Sequence, residues 1–361
     1  MIPYGRQLVD DDDVAAVVAV LRGDWLTQGP HVSEFEDRLS QITGARYAVA
    51  FSSGTAALHG AAHAAGLGPG DLVATSPLSF AASANCARYV GADVVFVDID
   101  PSTLNLDLTQ IPSEADALVA VHYAGLPVDL ASLARRPRVV IEDAAHAIGA
   151  STPDGPVGNC AHSDLCCFSF HPVKTVTTGE GGAVTTNDPG LAEQLRTFRH
   201  HGIRPSPSKG GWSYDINELG YNYRLTDIQA ALGTSQLAKL DRFVDRRNEL
   251  ANRYRQALAS VARVTLPPEA PSGARHAYHL FPVQVHDRAD VYRELRARGI
   301  GVQVHYVPTY RLTAYAGGGQ SPADFPHTEA AYSGLLSLPL YPALSDADQD
   351  LVISAVVEVL G

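Results

Sequence analysis

Lysine is nearly missing from this chain: of 361 residues only Lys174, Lys209 and Lys239 are lysines, and arginine supplies the rest of the positive charge. A desolvated ε-amine can lose its proton near neutral pH and attack a carbonyl, whereas guanidinium stays protonated, so a lysine kept in an arginine-rich chain points weakly to amine chemistry. Other scarcities exclude whole classes. Cys86, Cys160, Cys166 and Cys167 are the four cysteines. They have neither C-x-x-C spacing nor the density of a secreted scaffold, and read as buried thiols. No apolar run reaches roughly 18 residues, and MIPYGRQLVDDDD lacks the basic start of a signal peptide, so no membrane association is expected and the cytoplasm is the expected location. The net charge is −12 and no basic run could follow a phosphate backbone, so nucleic acid is not an expected partner. P-loop, dinucleotide and nucleophile-elbow motifs are missing, as are H-E-x-x-H and Cys/His sets at metal spacing, and no metal is expected.

The hydrophobic content of 45% can bury a core larger than one compact domain needs. Asp10 to Asp13 precede the apolar run VAAVVAVL, a helix whose dipole would attract them. Ser33 and Glu36 have the spacing of a capping box ahead of FEDRLSQITG, which Gly44 should end. Short β-rich runs (YAVAF, DLVATS, DVVFVDI, ALVAVHY, RVVIED, DLCCFSF) alternate with alanine-rich segments of helical length, the pattern of an α/β fold with a mostly parallel sheet covered by helices. Runs at 164–170 and 182–187 flank the loop that holds Lys174. From 226 to 258 the sequence is strongly helical, and the strand spacing changes after it. The expected division is a large domain over 1–245 and a smaller C-terminal α+β domain over 246–361, with YHLFPVQV and GVQVHYV as strands. The loop 203–213, with its Pro, Ser and Gly, is expected to be the most mobile segment.

Ligands of open α/β sheets bind beyond the carboxyl ends of the strands, and three groups fall there. Ser53, Gly54 and Thr55 follow YAVAF, where a helix N-terminus either binds phosphate or is simply capped. Asp143 ends RVVIED and either holds a protonated heterocyclic nitrogen or caps the next turn, with His146 a turn later on the same side. Ser169 ends DLCCFSF, and Lys174 follows it ahead of GEGG. A phosphate cradle, a carboxylate and a lone lysine on one sheet find a single explanation in pyridoxal phosphate, which needs one of each for its phosphate, its pyridine nitrogen and its aldehyde.

Across nearly its whole length the chain resembles the DegT family of fold-type I nucleotide-sugar aminotransferases. The matching stretches are GDWLTQGP, FSSGTAALHGA, SFAASAN, IEDAAHAIGA, FSFHPVKTVTTGEGGAVTTND, LGYNYRLTDIQAALG, GVQVHYVP and SLPLYP, and the branch that makes the aminated precursor of pseudaminic acid is the most similar. The resemblance implies that Lys174 forms an imine with the cofactor, Asp143 binds its pyridine nitrogen and Phe80 stacks on its ring. It also implies that His146 lies near the ring or its phenolic oxygen and that Gly54, Thr55 and Ser169 hold the phosphate. Asn222 would reach that phosphate from the other subunit of a homodimer. Sugar dehydratases of the family carry histidine in place of the lysine, so Lys174 points to transamination.

Each assignment has a plainer alternative: Phe80 as core, Asn222 as a helix cap, His305 as a core histidine rather than a substrate contact. Arg224 and the loop 203–213 either meet a nucleotide diphosphate or stay solvated. The expected reaction moves an amino group from L-glutamate to a keto-sugar nucleotide, a UDP-linked 4-keto-6-deoxy-N-acetyl hexose, with Lys174 as both anchor and general base. A 3-keto sugar nucleotide or a keto-cyclitol as acceptor, or a regulator that binds a sugar nucleotide without turnover, are the alternatives.

Overall fold

The computed structural model describes residues 1–206 and 210–361. Seven strands form the central sheet: β1 (Tyr47–Phe51), β2 (Leu72–Thr75), β3 (Asp93–Phe96), β4 (Ala117–Val121), β5 (Val139–Asp143), then, after the two-residue strands β6 (Ser151–Thr152) and β7 (Gly155–Pro156), β8 (Leu165–Ser169) and β9 (Gly182–Thr186). Their order is β1-β9-β8-β5-β4-β2-β3. Only β9 runs against its neighbours, pairing Phe51 with Gly182 on one side and Ser169 with Gly182 on the other. Every β-rich run expected in this part of the sequence is a strand of this sheet. β4 and β9 are buried at every position, as strands covered on both faces must be.

The helical cover is less regular than the alternation predicts. α3 (Gly54–Ala64) and α4 (Ala82–Tyr89) connect β1 to β2 and β2 to β3, but the segments before β4 and β5 hold only short 3-10 turns. Pro101, Pro112, Pro127 and Pro137 punctuate those segments, removing amide donors and turning the preceding residues away from helix.

Helix α1 (Asp11–Leu21) has Asp10 as its cap, with Asp13 completing a capping box. The box expected at Ser33 and Glu36 does not form. Helix α2 (Pro30–Thr43) starts four residues earlier, with Gly29 at the cap in place of Ser33 and Pro30 at its first position, and ends at Gly44 in the left-handed region (φ 77°). Its first amides are satisfied from afar: Asp227 accepts from Gly29 N at 2.8 Å and from His31 N at 2.9 Å. Ser33 donates back to Pro30 O, while Glu36 accepts from Ala50 N and pairs with Arg199.

After α5 (Pro189–Phe198), the stretch 203–213 expected to be a mobile loop opens with a strand, β10 (Ile203–Pro205), paired with β11 (Tyr214–Ile216) just beyond it; Pro207, Ser208 and Lys209 lie outside the described residues. Helices α6 (Asp227–Leu237) and α7 (Leu240–Leu258) follow. Leu240 and Val244 of α7 pack with Phe168 and Phe170, whereas Leu250, Tyr254 and Leu258 pack in a second core with Phe281, Val283 and Leu336. The second core is built on β12 (Val264–Thr265), β13 (Phe281–Val285) and β14 (Leu335–Leu338), with α8 (Arg288–Ala297) and α10 (Asp346–Leu360), while α9 (Pro326–Gly334) packs Ala331 with Tyr123 and Leu280. GVQVHYV is not one of its strands. Among the described residues of this segment Gln303 bridges to Ser337, and the His305 carbonyl accepts from the Tyr123 hydroxyl at 2.5 Å. No helix among the described residues is long and apolar enough to cross a membrane.

Candidate active site

The carboxyl ends of β1, β4, β5 and β8 meet at one end of the sheet, and a cavity of about 420 Å³ opens there. Its lining includes Gly54, Thr55, Phe80, Asp143, His146, Ser169, Lys174 and His305. Eight residues from five stretches of sequence thus converge on one space.

Ser53 caps α3, its hydroxyl accepting from Ala56 N at 3.1 Å. The amides of Gly54 and Thr55 open the helix, where no intrahelical acceptor exists. A side chain at residue 54 would place its Cβ 2.7 Å from Ser169 Cβ, so glycine lets the helix start sit directly against the end of β8. Capping and anion binding are here the same turn.

Asp143 caps no helix. One carboxylate oxygen accepts from Ser83 Oγ at 2.6 Å and the other from Ala145 N at 3.1 Å. These bonds fix the plane of a buried carboxylate and leave lone pairs for a further donor. Phe80 is not core: 61% of it is exposed, and it faces Tyr306 across the cavity at 6.1 Å between ring centroids.

Lys174 sits in a loop anchored by buried Phe170 and Val176 and closed by Thr178 N donating to Phe170 O at 3.0 Å. Burial pushes its ammonium down to about 8, against the opposing pull of Asp143. The amine therefore exchanges its proton close to neutrality. The histidines around it stay neutral: burial, reinforced by the Lys174 charge, holds His305 at about 4 and His146 well below its ordinary value.

Several lining residues are not legible in the sequence, among them Tyr306 and His279, which lie inside strand-like runs, and Tyr4, in an N-terminal stretch with no pattern. Ser83 escaped as well, although its spacing of three from Phe80 on a helix start is a usable signal. His279 lies 4.4 Å from His146 between ring centroids, and the buried Arg247 holds its backbone, donating to the carbonyls of Tyr278, His279 and Leu340.

Asn222 and Arg224 do not enter the cavity. Asn222 is exposed, bridges to His200 and caps no helix, since Thr226 caps α6. Arg224 donates to His200 Nδ1 at 2.8 Å beside a second cavity of about 410 Å³ that Arg196 and Arg199 also line.

The donor set fits pyridoxal phosphate: amides at a helix start, an oriented carboxylate, an exposed aromatic face and an amine of lowered basicity, at one strand-end cavity. With this sheet it defines a fold-type I pyridoxal-phosphate enzyme. The chain belongs to the DegT/DnrJ/EryC1/StrS aminotransferase family, which it matches over residues 7–357, and it is a sugar aminotransferase. It is 38% identical to the spore coat polysaccharide biosynthesis protein SpsC of Bacillus subtilis, over 99% of this chain and 97% of that one. The PLP form of Spr1654 from Streptococcus pneumoniae superposes with a TM-score of 0.91 at 30% identity, covering 100% of this chain and 99% of the other. PseC of Helicobacter pylori, an aminotransferase involved in pseudaminic acid biosynthesis, gives 0.92 at 30% identity, covering 99% of each chain.

Proposed function

We propose that the enzyme transfers the amino group of L-glutamate to carbon 4 of a UDP-linked 4-keto-6-deoxy-N-acetyl hexose. The observation that carries the transamination chemistry is the amine of Lys174, which lines the same cavity as Asp143 with its pKa lowered to about 8 by desolvation. Bound pyridoxal phosphate supplies an electron sink for charge left at a substrate carbon when a proton departs. Lys174 takes that proton from the α-carbon of the donor and later returns one to the acceptor carbon from the same side, which sets the configuration of the new amine. Asp143, held by Ser83 and Ala145, pairs with the protonated ring nitrogen. Gly54, Thr55 and Ser169 hold the phosphate, Phe80 covers the ring and His146 stands near its phenolic oxygen.

The proposal makes the active unit a homodimer in which Asn222 serves the partner's phosphate site; its exposed position, outside its own cavity, supports this. Arg224 and the hairpin beside it are assigned to the nucleotide diphosphate, and His305 to the sugar. The choice of sugar is supported by the likeness to PseC, by GDWLTQGP, which lies outside the cavity, and by GVQVHYVP, whose His305 and Tyr306 line it.

The test offers the amine-loaded enzyme UDP-linked and dTDP-linked 4-keto sugars, a 3-keto sugar and a keto-cyclitol, and follows the cofactor's visible absorption. A site built to hydrogen-bond an N-acetyl group strands its own polar groups when that group is missing, so kcat/KM should fall by about 10⁴ for the wrong sugar. Preferred turnover of the 3-keto sugar or the cyclitol overturns the assignment.

A further inference from the structure

Tyr306 stands on the irregular segment 301–307 and meets the turn after β5. Its hydroxyl lies 3.0 Å from His146 Nε2, and the two rings are nearly parallel, 6.0 Å between centroids at 20°. Nδ1 of the same imidazole is buried without a partner. Among the described residues the Tyr306 hydroxyl has no other partner.

We propose that Tyr306 is a positioning residue: its hydroxyl donates to His146 Nε2 and confines the imidazole to the tautomer with its proton on Nδ1. The alternative arrangement, with Nε2–H donating to the phenol, leaves a bare Nδ1 buried and turns the phenolic proton into the cavity that Tyr306 lines. The proposed arrangement leaves one unpaired donor, the Nδ1 proton, and a phenol is the better donor of the two groups. Burial keeps Tyr306 un-ionised and His146 neutral, so the contact joins neutral groups. The imidazole of His146, which lines the cavity, is then held in one tautomer, with its single proton on the buried nitrogen, instead of exchanging between two.

The experiment is nitrogen NMR of the cofactor-free protein with labelled histidine, the His146 signals being assigned through His146→Gln. The wild type should show a protonated Nδ1 and a bare Nε2. Tyr306→Phe should move both signals toward the average of the two tautomers. Tyr123→Phe, which frees the same segment at the His305 carbonyl without touching His146, should leave them in place. A proton on Nε2 in the wild type overturns the proposal, and so do signals unmoved by Tyr306→Phe. Equal movement with Tyr123→Phe reduces Tyr306 to general support of its segment and overturns it too. If Tyr306→Phe does not fold, the wild-type tautomer still decides. Because no cofactor is present, failure here leaves the cofactor contacts standing, and failure of those contacts leaves the tautomer result intact.

Discussion

The lowered basicity of Lys174 carries a folding cost. Its ammonium is lowered from the ordinary 10.5 to about 8, so between pH 8 and 10.5 the unfolded chain holds a proton that the folded chain has released. Stability therefore rises with pH across that window, and below pH 8, where both forms are protonated, the cofactor-free enzyme carries a penalty of about 3 kcal/mol. Lys174→Met should raise the melting temperature of the cofactor-free protein at pH 7, with the advantage shrinking between pH 8 and 10. Equal melting temperatures at both ends would mean a solvated amine. The same variant should retain no cofactor after borohydride reduction, whereas the wild type should carry it on Lys174. Lys239 is paired with Asp10 and Asp13 and is not a candidate for that label.

At the level of elements, the start of α2 shows how a helix end is completed by a distant partner. Asp227 is fully buried and satisfies two of its first amides. Removing it leaves both donors unpaired, so Asp227→Ala should cost about 2–4 kcal/mol in denaturant unfolding. A loss below 0.5 kcal/mol would show that water replaces the carboxylate. The same reasoning separates two signals in the sequence. Gly44 was legible as a helix stop because its left-handed φ is a local demand. The cap at the other end was not, because 198 residues separate Asp227 from Gly29.

In the molecule as a whole, several large apolar side chains of one stretch of sequence stand exposed. Trp212 is 84% exposed and Leu219 85%, with Tyr214, Ile216 and Tyr221 nearby in sequence, on the hairpin and the stretch that leads to Asn222. In the proposed homodimer this surface meets the second copy, and each site draws Asn222 from its partner. Equal mixing of inactive Lys174→Ala and Asn222→Ala parents should then restore up to about a quarter of wild-type activity, since half the dimers are mixed and each mixed dimer has one intact site. Confirmed subunit exchange without recovery would place Asn222 outside the site.

The sequence by itself determined the sheet, because alternation and apolar runs are local properties of each strand. It also determined the strand-end groups, because Ser53 to Thr55, Asp143, and Ser169 with Lys174 each follow a recognisable run. Tertiary structure alone decided which side chains surround them. Ser83 orients Asp143, Tyr306 meets His146, and Arg247 holds the backbone of His279 across separations that no periodicity spans. It also decided that GVQVHYV, alternating like a strand, brings His305 and Tyr306 to the cavity instead, where the His305 carbonyl accepts from the distant Tyr123 hydroxyl rather than from a ladder amide.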